Sequence, residues 1–172
     1  MLEPWLRATK LDVDPAIAAV LFALQQVREN LSEISIEDVW KEVPGIPSLG
    51  FQLRHIAGSL DRLTTYLAGS QLTEAQFDFL STESRPGAHR KDLIAQVNSA
   101  LLRAEEVLRA IDPGTFCDVR YVGRKRIPTT VIGLAIHIAE HTQRHCGQAV
   151  TTGKLLAALP TSYCDSPLPP PA

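Results

Sequence analysis

The sequence predicts an all-α fold, a four-helix bundle. Two observations carry that prediction. Four long stretches place apolar residues at the three- and four-residue spacing of one helix face. No stretch shows a convincing strand pattern, and the breaks between the long stretches are rich in Pro, Gly and capping residues.

Asp14 followed by Pro15 is a strong helix start, a capping side chain and then proline at the first helical position. Ile17, Val20, Leu21, Leu24, Val27 and Leu31 continue it, giving a helix near 14–31. A short helix fits Ser35 to Trp40, before Val43-Pro-Gly-Ile-Pro47 breaks the chain. Ser48 caps a second helix near 48–68 whose stripe is Leu49, Leu53, Ile56, Leu60, Leu63 and Leu67, and Gly69 can end it. Thr73-Glu-Ala-Gln76 has the form of a capping box and starts a short helix through Phe79. Pro86-Gly87 breaks the chain again.

The third long helix is expected near 89–110, with Leu93, Val97, Leu101, Ala104 and Leu108 inward, and Asp112-Pro-Gly114 stops it. Thr115 to Lys125 reads as a loop with a short extended piece at Val119 to Val122. Pro128-Thr-Thr130 opens the fourth helix, near 129–156. The loops differ in length, which favours a topology with a long crossover over a simple up-down-up-down order. One domain is expected over 1–160, followed by a disordered Pro-rich tail over 161–172.

Composition narrows the function classes. The chain has 172 residues, enough for one domain with a real core, and a formal net charge of −2. That charge supplies no general drive toward nucleic acid or an anionic membrane, so neither is an expected partner. No apolar run approaches the length of a membrane span, and the opening Met1-Leu-Glu-Pro-Trp-Leu-Arg7 lacks the form of a signal peptide. Cys117, Cys146 and Cys164 have no CxxC spacing, and three cannot all pair, which fits reduced thiols in a cytoplasm. The basic cluster Arg120, Arg124, Lys125 and Arg126 lies in a loop. It reads as a solvated loop or as an anion-holding rim beside a site, with Arg124 and Arg126 the candidates for contacting substrate.

The most informative segment is His137-Ile-Ala-Glu140-His141-Thr-Gln-Arg144-His145, inside the fourth helix. Side chains at i and i+4 stand one above the other on a helix, so two such imidazoles can share one metal ion. At roughly 100° per residue, His141 and His145 lie within about 60° of Ile138 on the apolar stripe. His137 lies on the flank. His141 and His145 are therefore the pair expected to point toward the core. A metal needs a further ligand. His55, at the edge of the second helix's stripe beside Gln52, Ser59 and Tyr66, is a better candidate than His89, which opens a helix after a turn.

Leu53-Arg-His-Ile-Ala-Gly-Ser-Leu-Asp-Arg-Leu63, Leu72-Thr-Glu-Ala-Gln76, Arg124-Lys-Arg-Ile-Pro-Thr-Thr-Val131 and His141-Thr-Gln-Arg-His-Cys-Gly-Gln148 resemble the DinB-like (DinB/YfiT) superfamily, over roughly Ala16 to Leu156. The resemblance implies a four-helix bundle with short extra helices in its connections. It implies a divalent metal, Zn, Ni, Fe or Mn, held by His55, His141 and His145, and a homodimer. Characterised relatives include transferases and isomerases that use a low-molecular-weight thiol such as mycothiol, bacillithiol or glutathione. The function expected is transfer of such a thiol to a small electrophilic substrate, with the metal carrying the thiolate. The alternatives are a non-catalytic metal-binding stress-response module and a metal-dependent hydrolase.

His137-Ile-Ala-Glu140-His141 also matches the H-x-x-E-H pattern of inverted zinc peptidases. Glu140 falls about 160° from Ile138, toward solvent, which argues against it as a base. A di-iron carboxylate bundle needs paired Glu-x-x-His motifs, and the sequence has none.

Overall fold

The computed structural model describes residues 12–159. The expected Pro-rich tail lies outside them, as do the first residues of the chain. The order is α1 (Pro15–Ser32), α2 (Leu49–Leu67), α3 (Glu74–Thr82), α4 (Arg90–Arg109), a 3₁₀ turn (Pro113–Thr115), β1 (Val119–Val122), β2 (Ile127–Thr130) and α5 (Val131–Ala158).

The helix starts follow from their caps. Asp14 accepts from the Ala16 N–H ahead of Pro15, and Ser48 accepts from the Phe51 N–H. Thr73 and Gln76 form the full capping box. Gly69, at φ 80°, lets the chain leave α2, with the Ser70 N–H bonded back to the Thr65 carbonyl.

Around the bundle the long helices stand in the order α1, α5, α2, α4, so α1 and α2 are diagonal, as are α4 and α5. Gln143 reaches Gln26 and Cys146 reaches the Val27 carbonyl, so α1 and α5 run the same way. Gln52 meets His145 while His55 meets His141, so α2 and α5 are antiparallel. Arg54 near the start of α2 donates to the Thr82 carbonyl and shares a groove with Asp92 and Leu93 at the start of α4. The parallel pair α2 and α4 is joined by the chain over 68–89, which carries α3. This is the long crossover that unequal loops implied.

The core is the union of the four stripes. Leu49, Leu53, Ile56 and Leu60 of α2 are wholly buried against Leu101 and Leu108 of α4 and Leu134, Ile138 and Ala149 of α5. Each such side chain is worth about 1.5–3 kcal/mol in burial alone. Trp40 packs on Gly50, where a Cβ would meet the indole at 2.6 Å, and donates to the Ala88 carbonyl at 2.8 Å.

Three expectations need correction. Ser35 to Trp40 forms turns, not a short helix, because Trp40 and Val39 are drawn onto the bundle and the Val43–Ile46 bridge closes the segment. The extended piece at Val119–Val122 has a partner: Ile127–Thr130 pairs with it antiparallel, Val119 opposite Thr130. Pro128 and Thr129 thus lie in a strand, and α5 begins only at Val131, capped by Thr130. The hairpin packs on the end of α2, where Arg120 donates to the Leu67 carbonyl at 2.8 Å.

Candidate metal centre

Antiparallel packing of α2 on α5 brings His55 over the His141–His145 pair. The ring centroids lie 5.2 Å (His55–His141), 4.3 Å (His55–His145) and 4.6 Å (His141–His145) apart. One nitrogen from each ring lies within 4.8 Å of the others. All three side chains are half-buried. The sequence placed the pair toward the core; the fold places it at the rim, because α5 is wedged between α1 and α2 and its deepest face runs through Thr142 and Cys146. The rim position leaves the rings a path to solvent.

Two of the three proton positions are fixed by neighbours. His55 Nδ1 stands 2.7 Å from Glu83 Oε2, and Arg62 donates to Glu83 Oε1 at 2.6 Å. A carboxylate held by a guanidinium accepts, so His55 Nδ1 carries a proton and Nε2 is the nitrogen turned away from Glu83. His145 Nδ1 stands 2.8 Å from Oε1 of the buried Gln52. An amide oxygen only accepts, so His145 Nδ1 carries the proton, and Gln148 is a further hydrogen-bonding neighbour of the ring. His141 differs: its Nδ1 is buried and has no hydrogen-bond partner.

The electrostatics favour neutral rings. Burial, then the neighbouring imidazoles His145, His137 and His55, push the His141 pKa down from 6.5 to about 4. Burial, then His55 and Arg144, push His145 down to about 4. Neutral imidazoles at ordinary pH are the form that ligates a metal.

The other residues singled out from sequence fall elsewhere. His137 is 45% exposed and faces Glu140 at 3.6 Å, while Glu140 also pairs with Arg144 at 3.7 Å on the outside of α5. His137 touches the His141 ring but is not part of the three-nitrogen cluster. Glu140 is turned away from that cluster, as the rotation estimate required. His89 is exposed. Arg124 and Arg126 sit at the hairpin tip, stacked over Phe77 and Tyr121. Cys146 is buried, as expected of a packed thiol.

Sequence reasoning missed Glu83 and Arg62. Their only signal is polarity that later proves buried, since the crossover decides that Glu83 comes back to α2. Gln52 was placed on the flank of His55, but its role depends on the register between α2 and α5.

The donor set fits a metal ion. It has three imidazoles from two helices, two of them oriented through Nδ1, and a buried ring nitrogen on the third left unsatisfied. Buried polar atoms are normally paired, so the unpaired nitrogen marks His141 as a ring whose hydrogen bonding the protein alone does not complete. Helix α5 is the element on which the site and the core meet. No curated protein matches the chain. A family model described as the DinB superfamily matches residues 23–149, which include all three histidines.

Proposed function

This chain belongs to the DinB superfamily, and from that premise we propose a metal-dependent transferase that joins a low-molecular-weight thiol to an electrophilic carbon. His55, His141 and His145 would hold the divalent ion. The observation that carries the reading is the convergence of three imidazoles, two of them oriented by Glu83 and Gln52.

A divalent cation bound by neutral ligands keeps its full charge and supplies a Lewis acid that favours thiolate over thiol at neutral pH. The chain's own groups do the rest. His141 and His145, neutral down to about pH 4, do not compete as cations for the site. Cys146 is a poor nucleophile, because burial pushes its thiol up to about 11. Since the thiol packed nearest the three histidines along α5 is this buried one, the reading takes an external thiol as the nucleophile. Its sulfur bonds to the electrophilic carbon, its proton leaves to solvent, and a leaving group such as chloride departs with the bonding pair.

A groove of about 470 Å³ beside His145 supports the reading of a small-molecule substrate. Gln52, which holds His145, forms part of its wall, with Arg144, Gln148 and Thr151 offering donors and Ile46 and Leu155 an apolar side. Among the described residues Arg144 pairs with the exposed Glu140, a weak pairing, and is suited to a substrate carboxylate. Arg124 and Arg126 are proposed as an outer anion rim.

The test is incubation of metal-loaded protein with bacillithiol, mycothiol or glutathione and a chlorinated aromatic or epoxide acceptor. Conjugation above background should vanish with chelator and in His141→Ala. If metal binds stoichiometrically yet no thiol turns over, a non-catalytic metal-binding role replaces this reading.

A further inference from the structure

Helix α3 contributes no buried residue to the core. A nine-residue amphipathic segment without a buried face has little intrinsic reason to stay docked. Its attachments to α2 are mostly polar. Gln76 Nε2 donates to Asp61 Oδ2 at 2.7 Å and to Thr65 Oγ1 at 2.8 Å near its start. At its end, Arg54 donates to the Thr82 carbonyl at 3.0 Å.

The residue that follows α3 is different. Glu83, its C-cap, is only 3% exposed and makes both its contacts with α2, to His55 and to Arg62. The backbone of α2 is shaped to receive it. A Cβ on Gly58 would collide with Glu83 Oε1, with the Arg62 guanidinium and with the Phe79 ring. The missing methyl group is thus the space in which the end of α3 sits. The same Glu83 contact orients His55, one of the three clustered imidazoles.

We propose that Glu83 is a positioning residue for His55, and that it makes docking of the crossover helix α3 and occupation of the three-histidine site depend on each other. This rests on the metal reading above, but not on any thiol chemistry. A carboxylate behind a ligating imidazole fixes its tautomer and ring orientation and raises its basicity. An ion held by the other nitrogen of His55 would in turn make Nδ1–H a stronger donor to Glu83, which holds α3 down. Coupling between two binding events is reciprocal, so each must strengthen the other by the same factor.

The experiment is a zinc titration with zinc alone, paired with amide hydrogen exchange over 74–83. In the wild-type protein zinc should bind and slow exchange in α3. Glu83→Gln should weaken zinc binding roughly 10–100-fold and remove the zinc-dependent slowing. Gly58→Ala replaces glycine with the best helix former, so loss of zinc affinity there reports the displaced Glu83 and not a weaker helix. Gln76→Ala loosens the other end of α3 without touching His55; through the coupling it should weaken zinc binding by a smaller factor than Glu83→Gln and leave the zinc-dependent slowing of exchange in place.

Equal zinc affinity in Glu83→Gln and wild type, with zinc bound in both, overturns the inference and leaves the metal site standing. Equal loss in Gln76→Ala and Glu83→Gln also overturns it, since Glu83 would then act only through the general stability of α3. Absence of zinc binding in the wild type sinks this inference and the metal reading together.

Discussion

Gln52 Oε1 accepts the Nδ1 proton of His145 at 2.8 Å, linking a side chain 1% exposed on α2 to a half-buried imidazole on α5. The bond ties the orientation of a candidate ligand to the interior of the bundle. Gln52→Leu keeps the volume and removes the acceptor. It should lower zinc affinity at least roughly tenfold, with His145 free to rotate or change tautomer. Calorimetric titration of the variant against wild type checks this, and unchanged affinity would refute the orienting role.

The ligand set makes a second prediction. At a metal concentration about 100 times Kd, binding to the folded state alone adds about 2.7 kcal/mol. For a chain of this size that corresponds to a rise in melting temperature of roughly 5–10 °C. His55→Ala, His141→Ala and His145→Ala should each lose this rise together with stoichiometric metal, while His137→Ala keeps both. The reverse pattern, with His137 essential and His55 dispensable, would favour the inverted peptidase motif. Melting curves with and without metal, alongside metal analysis, decide.

The same orphan nitrogen predicts a cost without metal. A buried unpaired polar atom costs about 1–3 kcal/mol. His141→Leu removes the unsatisfied Nδ1 and should leave metal-free protein as stable as wild type or more so, although the variant no longer gains from metal. A large fall in metal-free stability would show that the nitrogen is already satisfied.

The pH dependence follows from two depressed pKa values. His141 and His145 titrate near 4 in the fold and near 6.5 in the unfolded chain. Between those values the unfolded chain binds protons that the folded one refuses. Their contribution to stability is therefore complete above about pH 6.5, falls as pH drops, and has no further to fall below about 4. Denaturant melts of metal-free protein from about pH 7.5 to about pH 5 should show this loss, reduced in the His141→Leu, His145→Leu double variant.

Much of this was legible in the sequence. Asp14-Pro15, Ser48 and the Thr73–Gln76 box start helices where they were expected, because a cap is a local contact that needs no tertiary partner. The histidine pair was legible from periodicity, and His55 from its place at a stripe edge. The hairpin was not: Ile127-Pro-Thr-Thr130 carries a proline before a helix, and only pairing with Val119–Val122 makes it a strand. The placement of Glu83 and Gln52 beside His55 and His145 depends on where the crossover lands and on helix register, neither of which leaves a short-range pattern.

The diagonal placement of α1 and α2 has a consequence for biosynthesis. These two helices leave the ribosome first, yet they scarcely touch; α5 is the wedge between them. Until 131–158 has been made, His55 stands beside an unfilled seam and the nascent chain has no partner rings to offer a cation. A cation held by these three rings would therefore have to wait for 131–158, and a chain ending before that stretch would lack two of the three imidazoles and the helix that fills the seam.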